Sequence, residues 1–187
     1  MRKNFGSKPY IYPMPVLIIA SYDENGTPNA MNAAWGCIAD SDRIGIYVAG
    51  DHKTMANILA RKAFTVSMAD ADHVTEADFV GIVSGNNVPD KFVQAGLHAV
   101  KSDFVDAPII DELPMALECE LISFDEESEL MVGKIVNISA DEKILGENGK
   151  IDPMKLRPIT YDPVNNAYHV IGEKVGNAFK DGLRLKK

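Results

Sequence analysis

The chain is poor in the residues from which self-contained catalytic centres are built. It has two cysteines, Cys37 and Cys119, and four scattered histidines, His52, His73, His98 and His169. They form no CxxC pair, no HxxxH or HxH, and no zinc-ligand spacing, so a metal site is not expected. The cysteines read as two buried thiols in a reducing compartment, with a redox pair as the alternative. Neither a glycine-rich dinucleotide fingerprint nor a phosphate-binding P-loop occurs, and no nucleophile-plus-base signature is present. No apolar run approaches the roughly 20 residues of a membrane-spanning helix. Prolines interrupt the start, "MRKNFGSKPYIYPMPVLIIAS", and no cleavage site follows, so it reads as mature, cytoplasmic protein. There is no internal repeat and no low-complexity tract.

What is present is an ordinary globular composition, 46% hydrophobic and 25% charged over 187 residues. That length suits one domain, residues 1–187, with no convincing linker. The formal net charge is -8. An acidic surface repels phosphate backbones, which argues against nucleic acid as a partner but leaves room for a local anion site.

The pattern is mostly strand. "VLIIAS" reads as a buried strand, "DENG" as a tight turn, and Asn29 to Cys37 as the return strand. "RIGIYVAG" is a third strand. "DHKTMANILARKAF" shifts to helical spacing, with Asp51 or Thr54 as candidate caps. "FTVSMAD" returns to a strand. "HVTEADFVGIVSG" reads as a helix with Val74, Ala77, Phe79, Val80 and Val83 on its apolar side, ended by Gly85-Asn86-Asn87. "VPDKFVQAG" is a short helix and "HAVKSDF" an edge strand. A long hairpin turns at "DEES", and "LRPITYD" and "AYHVIGEKVG" flank a last turn. Alternation along the hairpin puts Glu118 and Glu120 together on a solvent face, with Cys119 opposite. No alternating strand–helix repeat demands a parallel sheet. The expected fold is mainly β, an antiparallel barrel with inserted helices.

Two stretches carry chemistry. In "AGDHKTMANI", Gly50 lets the chain turn into a helix whose first N–H groups and partial positive charge can hold an anion. Lys53 adds a full charge, Thr54 a hydroxyl, and Asn57 lies one turn on. Many helices begin this way with no ligand. In "NAMNAAWGCIAD", Ala30, Ala33, Ala34 and Gly36 leave flat space, Asn29 and Asn32 carry amide donors and acceptors, and Trp35 offers an apolar plane. This suits either a planar heterocycle or tight packing around a core tryptophan.

The order "PxPVLIIASYDENGTPNAMNAAW", "HKTMANI", "FTVSM", "DKF" and "LECEL…VGKIV" resembles the flavin reductase-like FMN-binding proteins, in particular their flavoredoxin-type branch. The resemblance covers Pro13 to the "AYHVIGEKVG" segment. It implies an FMN-binding split β-barrel of antiparallel Greek-key type, with FMN held non-covalently, in a homodimer with flavin near the interface. Carried over by position, Asn29, Ala30 and Met31 would lie along the isoalloxazine, with Asn32 and Ala33 close. Trp35 would pack near the flavin or the interface. Ala49, Gly50, Lys53, Thr54 and Asn57 would enclose the phosphate. Ser67 and Met68 would contribute from the neighbouring strand, although several family members carry asparagine where this chain has Ser67. Lys91 and Phe92 would close the site. The helical region "ADHVTEADFVGIVSGNNVPDKF" resembles the branch with an insertion. No catalytic side chain is implied, because the chemistry sits on FMN N5. The implied activity is NAD(P)H-dependent reduction of bound FMN, passed on to free flavin, a protein partner or another acceptor. The alternatives are an FMN electron carrier reduced by a protein partner, and a barrel holding another ligand such as haem.

Overall fold

The structure is a computed structural model, which describes residues 1–186. Its first strands are β1 (Met14–Pro15), β2 (Leu17–Tyr22), β3 (Pro28–Ala33), β4 (Gly36–Asp40) and β5 (Arg43–Tyr47). Helix α1 (Lys53–Arg61), strand β6 (Ala63–Met68), and helices α2 (Val74–Ile82) and α3 (Lys91–Gln94) follow. Then come β7 (Ala99–Lys101), β8 (Pro108–Ile110), the long hairpin β9 (Met115–Asp125) and β10 (Leu130–Ala140), α4 (Pro153–Leu156), β11 (Ile159–Asp162) and β12 (Ala167–Val170).

Seven strands form the main sheet in the order β3-β2-β6-β9-β10-β5-β4. Every pairing is antiparallel and the order is non-sequential, as a Greek-key-type path requires. The expected fold class is what is seen: mainly β, a curled antiparallel half-barrel with few helices. The two edge strands, β3 and β4, are consecutive in the chain and separated only by Ala34 and Trp35. A sheet whose two edges are joined by two residues has to curl until they meet. The crossing is tight. A Cβ on Gly36 would lie 2.8 Å from Leu17 Cδ1 and 3.2 Å from the Gly45 carbonyl oxygen, so only glycine fits there.

This corrects the single return strand expected over Asn29 to Cys37. The stretch is two strands on opposite edges, β3 paired with β2 and β4 with β5. Alternation within each strand was legible, but the change of partner at Ala34–Trp35 depends on the curl of the whole sheet.

Strand β2 is buried on both faces, which explains its unbroken apolar run. Leu17 and Ile19 point into the barrel with Ile44, Ile46, Phe64, Val66 and Met131, where Met55 and Ile58 of α1 plug the core. Ile18 and Ala20 point the other way, against Ala77 and Val80 of α2 and Phe92 of α3. Each buried Val, Leu, Ile, Phe or Met among them contributes about 1.5–3 kcal/mol by burial. A smaller sheet, β1-β11-β12, flanks the barrel.

Helix α2 stops earlier than its pattern implies. Val83 is already extended, at φ -103° and ψ 124°, and the ammonium of Lys91 donates to the carbonyls of Val80 at 2.9 Å and Val83 at 2.8 Å. A buried cation therefore takes carbonyls that the helix end leaves free. The hairpin holds another correction. Glu118 is buried, not solvent-facing, and accepts from Ser102 and from Asn137 Nδ2, while Glu120 is exposed. Cys119 is buried as expected, whereas Cys37 is exposed.

Candidate functional site

Strand β3 is an edge strand, so alternate N–H and C=O groups along one side have no sheet partner. Three adjoining clefts run past it. One of about 320 Å³ lies between Asn29, Lys53, Gly85 and Asn86. The next, about 280 Å³, is bounded by Met31, the Asp51–Thr54 segment, residues 80–86 and Lys91. The third, about 350 Å³, lies between Asn32, Ala33, Ala34, Asp78, Tyr161 and Tyr168. Lys53, Gly85 and Asn86 join the first to the second, and Gly81 and Ile82 join the second to the third.

The N-terminus of α1 opens on this trough. Its N-cap is His52, not Asp51 or Thr54, and no side chain bonds to the first-turn N–H groups. The hydroxyl of Thr54 is instead taken up as acceptor by Asn29 Nδ2 at 2.7 Å. No acidic residue lies in the first turn, and Lys53 lines the cleft at that end. An uncapped helix start with an adjacent lysine is an anion site of low polarisation cost. Asp23 and Asp51 also line this end.

The two asparagines of β3 do different work from that expected. Residues 29 and 32 differ by an odd number, so a strand sends them to opposite faces. Asn29 clamps α1 through Thr54, and Asn32 clamps α2 by donating to the Ala77 carbonyl at 3.0 Å. Their amides lie against two glycines: a Cβ on Gly81 would meet Asn32 Nδ2 at 2.2 Å, and one on Gly85 would meet Asn29 Oδ1 at 2.4 Å. Segment 80–86 can therefore lie directly on the strand. Asn86 ties it to the other wall by donating to the Asp51 carbonyl at 3.1 Å.

Of the residues singled out from the sequence, Asn29, Met31, Asn32, Ala33, Lys53, Thr54 and Lys91 line these clefts. Asn57, in the second turn of α1, is buried and lines none of these clefts, its Nδ2 without a partner. The rest lie elsewhere. Ala30 is fully buried against α2 and Phe92 is a core residue of the same cluster. Ala49 and Gly50 sit in the loop before α1 and line none of the clefts described. Ser67 and Met68 belong to β6, which is separated from β3 by β2. Ser67 is fully buried with an unpartnered hydroxyl, and Met68 packs on the barrel core. Trp35 is 58% exposed and lines a separate groove on the outer barrel face. Lys91 is committed to two carbonyls, and burial lowers its pKa to about 8. The sequence reading has Gly81 inside a helix and Gly85 and Asn86 at its end. The repeated small and amide residues of "GIVSGNN" were the available signal.

The flavin reductase like domain family matches residues 10–163. The chain belongs to that family. It is similar over 97% of its length, at 36% identity and a TM-score of 0.93, to the whole of a flavoredoxin from Desulfovibrio vulgaris (Miyazaki F). A flavoredoxin from Methanosarcina acetivorans is 26% identical with a TM-score of 0.89, covering 99% of both chains. An uncharacterised protein of Aeropyrum pernix is 30% identical over 122 residues, 64% of this chain and 46% of that one, so the match spans less than half of that relative. Among the described residues, no helix is long and apolar enough to cross a membrane.

Proposed function

We propose that the chain is an FMN-dependent oxidoreductase that takes electrons from NAD(P)H and passes them to a second acceptor. The observation carrying this reading is the uncapped N-terminus of α1, with Lys53 and Thr54, opening on a trough along the free edge of β3 in a chain of this family. The residues present fit FMN. First-turn N–H groups and Lys53 would hold the phosphate, and the backbone edge of Met31–Ala33 would meet the ring's polar side. Bound FMN would supply the redox chemistry, accepting a pair of electrons and releasing them singly or together. The protein's part is to bind and orient. Asn29 and Asn32 fix the two helices that wall the trough, Lys91 shapes the end of α2, and segment 80–86 covers the edge from water.

A second reading has a specific support, the similarity to two flavoredoxins. In it the chain is an FMN electron carrier reduced by a protein partner. One experiment separates the two. The purified protein is loaded with FMN and mixed anaerobically with NADH or NADPH. Loss of the flavin band near roughly 450 nm at a catalytic rate supports the oxidoreductase. A loaded protein that stays coloured leaves the carrier, and a protein that takes up no FMN sinks both.

We also read the chain as a homodimer. The support is the outer face of β4, β5 and β10, where a groove of about 730 Å³ is lined mainly by apolar groups, among them Trp35, Tyr47, Leu130 and Val132. Patches of this kind mark association surfaces. Two free thiols support a reducing, cytoplasmic compartment.

A further inference from the structure

We propose that residues 171–186 form an exchange arm that seats in the outer groove of a second copy and walls the ring end of that copy's trough. This rests on the homodimer reading and goes beyond it by naming the segment that makes the contact.

The arm is locally ordered yet touches little of its own body. Beyond the bond from Ile171 N–H to the Pro158 carbonyl, its hydrogen bonds among the described residues are internal. Asp181 accepts from the Asn177 N–H at 2.9 Å, and a 3-10 turn follows over Asp181–Leu185. Its apolar side chains face solvent: Val175 is 102% exposed, Phe179 100% and Leu185 87%. A segment that keeps its shape while presenting Val, Phe and Leu to water is built for a surface it does not meet in the single copy.

Shape and charge both point to the groove. Strand alternation sends Gly45, Tyr47 and Val132 outward while Ile44, Ile46 and Met131 fill the barrel. Residues Lys8–Pro15 form the groove's other wall, anchored by Tyr12 to Asp162 and by Met14 N–H to Thr160 Oγ1 at 2.9 Å. The floor is apolar and one of its two ends is acidic: the β9–β10 turn carries exposed Glu126, Glu127 and Glu129. At the other end exposed Asp40 and Asp42 are balanced by Arg43 and its register partner Lys134, and Lys8 lines the opposite wall. The arm has the opposite balance. Lys174, Lys180, Arg184 and Lys186 outnumber Glu173 and Asp181 in a chain of net charge -8. A basic, apolar-studded arm complements an apolar groove with an acidic end. Ala34 lines both the groove and the third cleft, so an arm seated in the groove lies beside the trough.

Cys37 provides the test, because it is exposed and lines the groove while Cys119 is buried. Val175→Cys, Phe179→Cys and Leu183→Cys are made singly in the full chain and treated with a mild oxidant. A disulfide forms only where Cα atoms come within roughly 4.4–6.8 Å. At least one variant is expected to give a covalent dimer on a non-reducing gel. The unmutated protein should not, and Cys37→Ser should abolish it. Phe179→Asp should raise the dimer dissociation constant at least tenfold in sedimentation. A disulfide within one chain would overturn the exchange and seat the arm on its own groove. A dimer that forms no such link, with Phe179→Asp unchanged, would overturn the arm and leave the homodimer standing. A monomer at all concentrations would overturn both.

Discussion

The trough along β3 and the groove beside β4 are made by one continuous stretch, yet they differ in almost every respect. The trough is walled by two helices, carries the free N–H groups of α1, and has glycines pressed against asparagine amides. The groove is apolar, open and lined by Trp35 and Tyr47. Ala34 and Trp35 separate them, and on either side the strand has a different partner. Two edges of one sheet have been given two surroundings: the first is covered by helices and faces the free N–H groups of α1, and the second borders an open apolar groove.

Glycine breaks the comparison most directly. Gly81→Ala places a Cβ 2.2 Å from Asn32, whereas on Gly45 of the groove the nearest atoms are 3.6 Å away. The first substitution should cost about 1–3 kcal/mol and weaken FMN binding, and the second should change neither measurably. Calorimetry and a flavin titration on both variants check this. Equal melting temperatures would mean that α2 does not rest on β3.

Lys91 is the next lever. Lys91→Met leaves the carbonyls of Val80 and Val83 without their donor, at a cost of about 1–3 kcal/mol in urea unfolding. The pH dependence has a definite sign. Burial puts the folded-state pKa at about 8 against an ordinary 10.5. Between those values the unfolded chain keeps a proton that the folded chain has released. Stability from this group therefore rises across that window and is lost as pH falls through 8. Wild-type midpoints should climb relative to Lys91→Met over that range. Parallel curves would remove the desolvated ammonium from the account.

A smaller effect sharpens the anion end. Lys53→Glu should weaken FMN by about tenfold and riboflavin much less, since only FMN has the phosphate. Equal weakening would place Lys53 away from it. The smallest effect is purely chemical. In the folded protein a thiol reagent should leave buried Cys119 unlabelled. Cys119, with its pKa pushed up to about 12 by burial and then by Glu118, should react only after denaturation. Labelling of both thiols in the folded state would show that the barrel opens.

The strands were legible because their periods are local. "VLIIAS", the "DEES" hairpin and helix α1 all appear where the pattern places them. The start of α1 was legible for the same reason, since Lys53, Thr54 and the helix start are contiguous. The wall opposite was not. Gly81, Gly85 and Asn86 come from a segment some thirty residues further on, and only packing shows what they press against. Glu118 misled because alternation assigns two faces to a strand without saying which is wet.

By itself the sequence determined the elements, their antiparallel character and the chemistry available at one helix start, because these depend on neighbours along the chain. The tertiary structure alone decided that Asn29–Asp40 supplies both edges of one sheet. It also decided that Ala30 and Phe92 are core, and that Trp35 faces a different surface from Met31. The reason is the curl of the sheet. Whether an edge is covered, paired or left open depends on how far the two ends of a seven-stranded sheet turn toward each other, and no window of residues contains that information.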